Sequence, residues 1–329
     1  MSGNSNTWAL VLAAGDGTRL RSLTTAASGL TVPKQFCSLY AGPSLLHEAL
    51  RRAHAVTAED RTCVIVAEQH RRWWQGALRR LPGENVIVQA HNRGTGLGIL
   101  LPLMQILARD PQARLVLLPS DHHVRQEALL IRALEQALRQ LEWRDHETLL
   151  LGVRPEELDP DLGYIVPGCD DDLGAFRVER FVEKPSAAVA GELIRAGGLW
   201  NTFIIAATGR ALLELFRRRF PEIVSILSAA LDQDRRTGSA GDAVAGLYER
   251  LPSVDFSEDI LAEQVADLRV LPVPPCGWSD LGTPKRVSDA LRRTPRPEVS
   301  PVVHPGIGYL SLADQQLRLR SAPGVGGTI

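Results

Sequence analysis

The chain has 329 residues, 44% of them hydrophobic, and a net charge of −1, which suits one large α/β domain or two modest ones. Near-neutral charge and 5% aromatic residues argue against a nucleic-acid-binding platform, and no apolar run reaches the roughly 20 residues that cross a membrane. The short apolar run from Trp8 lacks a basic leader, and Cys37, Cys63, Cys169 and Cys276 are scattered without CxxC spacing, so a reducing cytoplasm is expected.

Trp8–Ala13 predicts a short buried parallel strand. A Gly-rich loop follows, from Ala14 to Arg19. The pattern then predicts a helix over 44–56, a strand over 62–67, a helix over 69–80, a strand over 85–89 and a helix over 95–109. A strand over 114–118 ends in Pro119-Ser120-Asp121, with a helix over 125–141 and a strand over 148–153 after it. This alternation predicts a Rossmann-like α/β fold, a mainly parallel sheet flanked by helices. Beyond residue 154 the alternation loosens. Residues 163–167 and 175–182 read as a smaller antiparallel region, 186–196 as a helix and 199–206 as a strand. Helices are predicted over 208–219, 221–231, 242–251 and 257–266, then a strand over 269–273 and a helix over 284–292. The domain therefore spans 1–292. The Pro- and Gly-rich tail, 293–329, is expected to be extended or poorly ordered.

Only three of the 37 Lys and Arg residues are lysines: Lys34, Lys184 and Lys285. A drift from lysine to arginine would spare positions where a compact ammonium cannot be replaced by a guanidinium fork. Lys285, at the start of a predicted helix, reads as an ordinary solvated residue.

A strand followed by a Gly-rich turn can gather backbone N–H groups around a phosphate. A P-loop would need GxxxxGK[ST], and no lysine lies here. The dinucleotide fingerprint GxGxxG meets Leu20 at its third position. The run Leu12-Ala13-Ala14-Gly15-Asp16-Gly17-Thr18-Arg19-Leu20 instead resembles the signature L-A-G-G-x-G-T-R-L of the sugar-1-phosphate nucleotidyltransferases. The chain is most similar to the mannose-1-phosphate guanylyltransferases, over roughly residues 8–290. Further motifs carry that similarity in order: Pro33-Lys34-Gln35-Phe36, Pro119-Ser120-Asp121-His122, Phe181-Val182-Glu183-Lys184-Pro185, Leu199-Trp200-Asn201-Thr202 and Trp278-Ser279-Asp280-Leu281-Gly282-Thr283.

The resemblance implies attack of a sugar phosphate oxygen on the α-phosphorus of a nucleoside triphosphate, without a covalent intermediate. Mg²⁺ would be held by Asp121 and Asp280. An N-cap role for Asp121 and a turn role for Asp280 are the structural alternatives. Arg19 and Lys34 would be catalytic, Arg19 on the outer phosphates and Lys34 between the α-phosphate and the sugar phosphate. Ala13, Ala14, Gly15, Gly17, Thr18 and Thr95 would bind nucleotide. Gly163, Glu183, Lys184 and Asn201 would bind the sugar phosphate. His122 and His123 are expected to be structural or supporting, since their spacing with one carboxylate makes no zinc set. The glycines of Asn92–Gly96 are expected to let a flat base or ribose approach the backbone.

The chain departs from the family pattern at Ala14, at Ser22, in a longer segment between Arg19 and Pro33, and at Phe203, where a glycine is usual. A large ring there would reshape the sugar pocket. GTP and mannose 1-phosphate are the expected substrates. UTP or dTTP with glucose 1-phosphate, and a catalytically silent nucleotide-sugar sensor, are the alternatives; an NAD-dependent oxidoreductase is disfavoured by Leu20. No nucleic acid or membrane partner is expected, and a homo-oligomer is allowed by the sequence.

Overall fold

The computed structural model describes residues 6–40, 42–170, 173–239, 241–294 and 310–321. Four strands, β1 (Thr7–Ala13), β2 (Thr62–Ala67), β4 (Arg114–Pro119) and β6 (Thr148–Val153), are buried along nearly their whole length. Such strands need helices on both faces. With β3 (Val86–Gln89), β7 (Tyr164–Asp170), β8 (Phe176–Val182), β9 (Leu199–Thr208) and β10 (Leu268–Val273) they form one nine-stranded sheet. Its order is β3-β2-β1-β4-β9-β6-β10-β8-β7. The first four strands run parallel, and β10 runs parallel to β6. Strand β9 is antiparallel to both β4 and β6, and the β7–β8 pair extends the same sheet antiparallel to β10.

Alternation along β1 divides the core. Ala9, Val11 and Ala13 point to one side, where Leu45 and Leu46 of α2 (Leu45–Val56) and Leu130 and Leu134 of α5 (Glu127–Gln140) cover them. Trp8 and Leu10 point to the other, under Leu97 and Leu100 of α4 (Gly94–Arg109) and Leu212 and Phe216 of α7 (Gly209–Arg219). Helices α6 (Ala187–Arg195), α8 (Pro221–Thr237), α9 (Asp242–Tyr248) and α10 (Pro284–Arg293), with the short α1 (Arg21–Thr24) and α3 (Arg71–Ala77), complete the domain.

Four differences from the sequence pattern go beyond shifted helix C-termini such as those of α8 and α9. The helix expected over 69–80 narrows to α3, because Glu68–His70 form a 3-10 turn before it. The helix expected over 257–266 is a π-helical turn, Phe256–Leu261, whose first N–H groups are capped by the Asp255 carboxylate. A small antiparallel ladder, β5 (His123–Val124) with β11 (Trp278–Ser279), was not legible in either segment alone. Within the expected tail, Ser311 bridges to Ser38, and α11 (Leu312–Ser321) packs on the body with Leu312 fully buried. Three backbone hydrogen bonds to Ser38 and Leu39 fasten that segment, so it is neither extended nor loose. The remainder of the tail, 295–309 and 322–329, lies outside the described residues.

Candidate active site

The carboxyl ends of β1, β3 and β4 open into a cavity of about 500 Å³, the usual place for a ligand in an open α/β sheet. Ala14, Gly15, Gly17, Thr18, Arg19, Lys34, Thr95, Asp121, Gly163, Glu183, Lys184, Asn201 and Asp280 all line it. Ala13 does not. It is 1% exposed, the last residue of β1, and its carbonyl accepts a hydrogen bond from the Gln35 amide.

The Gly-rich loop is held from below. Gln35 donates to the carbonyls of Ala13 and Gly15, both at 2.9 Å. Gly17 has φ +59°, and a Cβ there would meet Lys34 Cβ at 3.1 Å, so glycine serves both conformation and close approach. Arg19 is exposed and makes no ion pair among the described residues.

Lys34 is the centre of the site. It is 5% exposed. Its Nζ donates to Asp121 Oδ2 at 2.9 Å and, in a short contact, to the backbone oxygen of Asp280. The β5–β11 ladder brings these two aspartates to one ammonium: Asp121 lies two residues before β5, and Asp280 directly follows β11. Burial alone would raise the Asp121 carboxyl, but Lys34 and His122 outweigh it and hold it below the usual range. Burial is likewise outweighed at Asp280, chiefly by Lys34 and Arg286. Both are therefore ionised at neutral pH. Two hard oxygen donors on a cavity wall suit Mg²⁺, which takes one or two carboxylates and fills its shell with phosphate and water.

His122 and Trp278 buttress the pair. Burial lowers the His122 imidazole to about 4. Trp278 Nε1–H donates to His122 Nδ1 at 3.3 Å, which leaves the proton of the neutral ring on Nε2, 3.6 Å from Asp121 Oδ1. His123 instead bonds Thr294 at 3.0 Å.

The opposite wall is built on β8 and β9. Asn201 N–H donates to the Gly163 carbonyl at 2.8 Å. A Cβ at Gly163 would lie 2.5 Å from Glu183 Oε2, so the missing side chain makes room for that carboxylate. Burial pushes the Glu183 carboxyl up, and Lys184 Nζ, 3.3 Å away, offsets it only in part. Asn201 Oδ1 accepts from the Phe203 N–H at 3.0 Å, which leaves its amide donors for a ligand.

The Asn92–Gly96 segment carries packing as well as cavity wall. Gly94 lines the cavity, and a Cβ at Gly94 or Gly96 would strike Val254, at 2.3 and 2.6 Å. Glycine there lets the first turn of α4 meet the Val254 segment. Thr95 lines the cavity, but its Oγ1 already accepts from Phe256 N–H at 2.8 Å. Within α4, Gly98 lines the cavity with room for a Cβ, and beside it stands Gln89, 2% exposed, whose Oε1 has no hydrogen-bond partner among the described residues. A polar residue ending an apolar strand was the available signal for Gln89. Arg286 is the other residue that sequence reasoning missed. Its Nη1 reaches both Asp280 oxygens at 2.6 and 2.5 Å, while Nε and Nη2 grip Asp159 at 2.7 and 2.9 Å. Its neighbour Lys285 is exposed and pairs with Glu157, away from the site.

A Gly-rich anion loop, two ionised carboxylates around a buried lysine and a polar second wall together define a nucleotidyl-transferring class of site. Residues 8–296 match the nucleotidyl transferase family, and the chain belongs to it. The alginate biosynthesis protein AlgA of Pseudomonas aeruginosa is 27% identical over 281 residues, covering 83% of this chain and 56% of AlgA. The mannose-1-phosphate guanylyltransferase of Escherichia coli is 30% identical over 292 residues, covering 85% of this chain and 58% of that protein. The chain thus spans little more than half the length of these relatives. A crystal structure described as mannose-1-phosphate geranyltransferase from Thermus thermophilus aligns with a TM-score of 0.74 at 28% identity, covering 88% of this chain and 80% of that one.

Proposed function

We propose that this chain joins a hexose 1-phosphate to a nucleoside triphosphate, giving a nucleotide sugar and pyrophosphate, with mannose 1-phosphate and GTP as its substrates. The observation that carries the reading is Lys34, nearly buried and joined to both Asp121 and Asp280 where the Gly-rich loop faces the wall of Glu183 and Asn201. The guanylyltransferase relative supports the choice of base and sugar.

The chemistry asks the protein to bring two anions together and to stabilise charge at the α-phosphorus. The backbone of Gly15, Gly17 and Thr18 receives the triphosphate. Arg19, exposed and without an ion pair among the described residues, turns its fork to the outer phosphates, which leave as pyrophosphate. Lys34 exchanges its carboxylate contact for phosphate oxygens and follows the group as it transfers. Glu183 and Asn201 orient the sugar hydroxyls, and Lys184 meets the sugar phosphate. Asp121 and Asp280 would hold Mg²⁺, which supplies Lewis-acid charge neutralisation on the phosphates. Gln89 offers a buried acceptor and a donor to a base edge.

The test is pyrophosphate release with Mg²⁺ across GTP, UTP, dTTP, ATP and CTP, each with mannose 1-phosphate or glucose 1-phosphate. Release confined to GTP with mannose 1-phosphate is expected. Release with UTP or dTTP and glucose 1-phosphate would rename the product; no release with any pair would sink the transferase reading.

A further inference from the structure

Among the described residues, three other than glycine hold a left-handed backbone: Lys184 at φ +43°, Phe203 at φ +56° and Leu281 at φ +48°. Lys184 and Phe203 line the cavity, and Leu281 sits between two residues that do. A Cβ makes that conformation unfavourable, most of all for a bulky side chain. Such outliers persist where the surrounding structure enforces them, and they concentrate at functional sites. Lys184 aims an ammonium and Leu281 sets the Asp280 turn. Phe203 carries no group that the reaction uses.

Strand β9 is built to present this residue. Ile205 pairs with Leu150 and Asn201 with Gly152, so β9 spends two more residues than β6 over the same step. That is a bulge, a device that re-aims side chains. Its own polar groups stitch it. Thr202 Oγ1–H donates to the Leu151 carbonyl at 2.6 Å and accepts from Ile204 N–H at 3.2 Å, while Asn201 Oδ1 caps the Phe203 N–H. The ring of Phe203 stands half-buried, edge-on to Phe256 at 6.2 Å, and Phe256 packs on Phe216 at 5.5 Å. An aromatic ring backed by two more, on a stitched bulge, is a wall that does not yield.

We propose that Phe203 is the size filter of the sugar subsite, admitting a hexose 1-phosphate whose ring carries only hydroxyl groups and excluding one that carries an N-acyl group. This rests on the transferase reading above. Glu183 and Asn201 supply partners for hydroxyls. An N-acyl group pressed against Phe203 would bring both bulk and an amide left without a partner, and a buried unpaired amide is unfavourable.

The experiment compares N-acetylglucosamine 1-phosphate with the tighter-binding of glucose 1-phosphate and mannose 1-phosphate. Affinities are measured by calorimetry with the α,β-methylene analogue of GTP present, and pyrophosphate release is followed in parallel with GTP. The wild type is expected to bind the hexose phosphate and reject the N-acetyl sugar. Phe203→Gly, which accepts the backbone freely, is expected to narrow the preference at least about tenfold, the scale on which pocket size discriminates. Phe203→Tyr keeps the ring and should keep the preference. Should the glycine variant not fold, Phe203→Asn reads the same effect, since asparagine tolerates the left-handed region. Equal binding of both sugars to the wild type overturns the proposal, as does an unchanged preference without the ring, or no sugar phosphate binding at all. The expected binding pattern without pyrophosphate release would defeat the transferase reading and leave the filter standing.

Discussion

The two walls of the cavity solve the same geometric problem in opposite ways. On the nucleotide wall the left-handed positions are glycines, Gly17 and Gly94. On the sugar and carboxylate side they are Lys184, Phe203 and Leu281. There a Cβ would press on a neighbouring segment, Lys34 at Gly17 and Val254 at Gly94, and glycine removes it. Where the contact is made by a side chain, or where one must set the turn that aims it, the backbone bears an unfavourable conformation. The nucleotide wall is therefore expected to fail through geometry of the main chain, and the other wall through loss of particular groups.

The largest effect belongs to the residue that joins the walls. Lys34→Met is expected to lower turnover by about 10³-fold or more, in line with removing a central electrostatic contact. Pyrophosphate release under saturating substrates measures it. Lys34→Arg should not rescue, because a planar fork cannot occupy the compact site between Asp121 and the Asp280 carbonyl. Near-normal turnover in either variant would remove Lys34 from the centre of the site.

Next comes Arg286, buried between Asp280 and Asp159. Arg286→Met leaves two largely buried carboxylates without their partner, a change that costs about 3 kcal/mol or more. Urea denaturation should show the loss. Added Mg²⁺ should restore part of it, and more than it adds to the wild type, because a cation bound only by the folded state stabilises by mass action. No recovery with Mg²⁺ would argue that Asp280 does not hold the metal.

A third pair isolates the main chain. Gly17→Ala meets both the φ of +59° and Lys34 Cβ at 3.1 Å, whereas a Cβ on Gly15 meets nothing within 4 Å. The first is expected to destabilise by about 1–2 kcal/mol and the second by much less. Equal losses in denaturation would mean that backbone conformation is not what selects glycine on this wall.

Much of this was readable in sequence because it is local. The strand, the Gly-rich loop and the Thr18-Arg19 pair lie within about a dozen residues, and the burial of β1 on both faces follows from its continuous apolar run. The aspartates were recognisable only by motif. What joins them is the two-residue ladder of β5 and β11, too short to carry a periodic signal. The packing of Gly94 and Gly96 on Val254 has no local signal, because that neighbour is remote in sequence. Lys285 is the solvated residue its position suggests, while the role of its neighbour Arg286 was hidden, because a buried guanidinium shared by Asp159 and Asp280 has no local pattern. The bulge in β9 was hidden for a related reason. A run such as Trp200 to Ile205 is good strand sequence, and only pairing with β6 shows the extra residues.

The smallest effect tests the sugar wall by pH. Burial raises the Glu183 carboxyl above its ordinary value, although Lys184 works against the shift. A raised folded-state value means that the fold favours the protonated form. The stability this contributes is complete below the unfolded value, about 4.3, and is lost as pH rises through the folded one. The fold therefore works against the ionised form of this mostly buried carboxylate. Glu183→Gln is expected to be at least as stable as the wild type at pH 7 in urea denaturation, with the advantage shrinking as pH approaches 4.5. Substrate binding moves the other way. The amide loses a charged acceptor, and the KM for the sugar phosphate should rise about tenfold, the scale of one charge-assisted hydrogen bond, with the KM for nucleotide little changed. Acidification protonates Glu183 in the wild type and brings it toward the variant, so the ratio of their sugar KM values converges as pH falls. The titration of the sugar phosphate itself is common to both proteins and cancels in that ratio. A ratio that stays constant with pH would mean that the ionised form is not what holds the sugar; a nucleotide KM that rises in step would move Glu183 to the other wall.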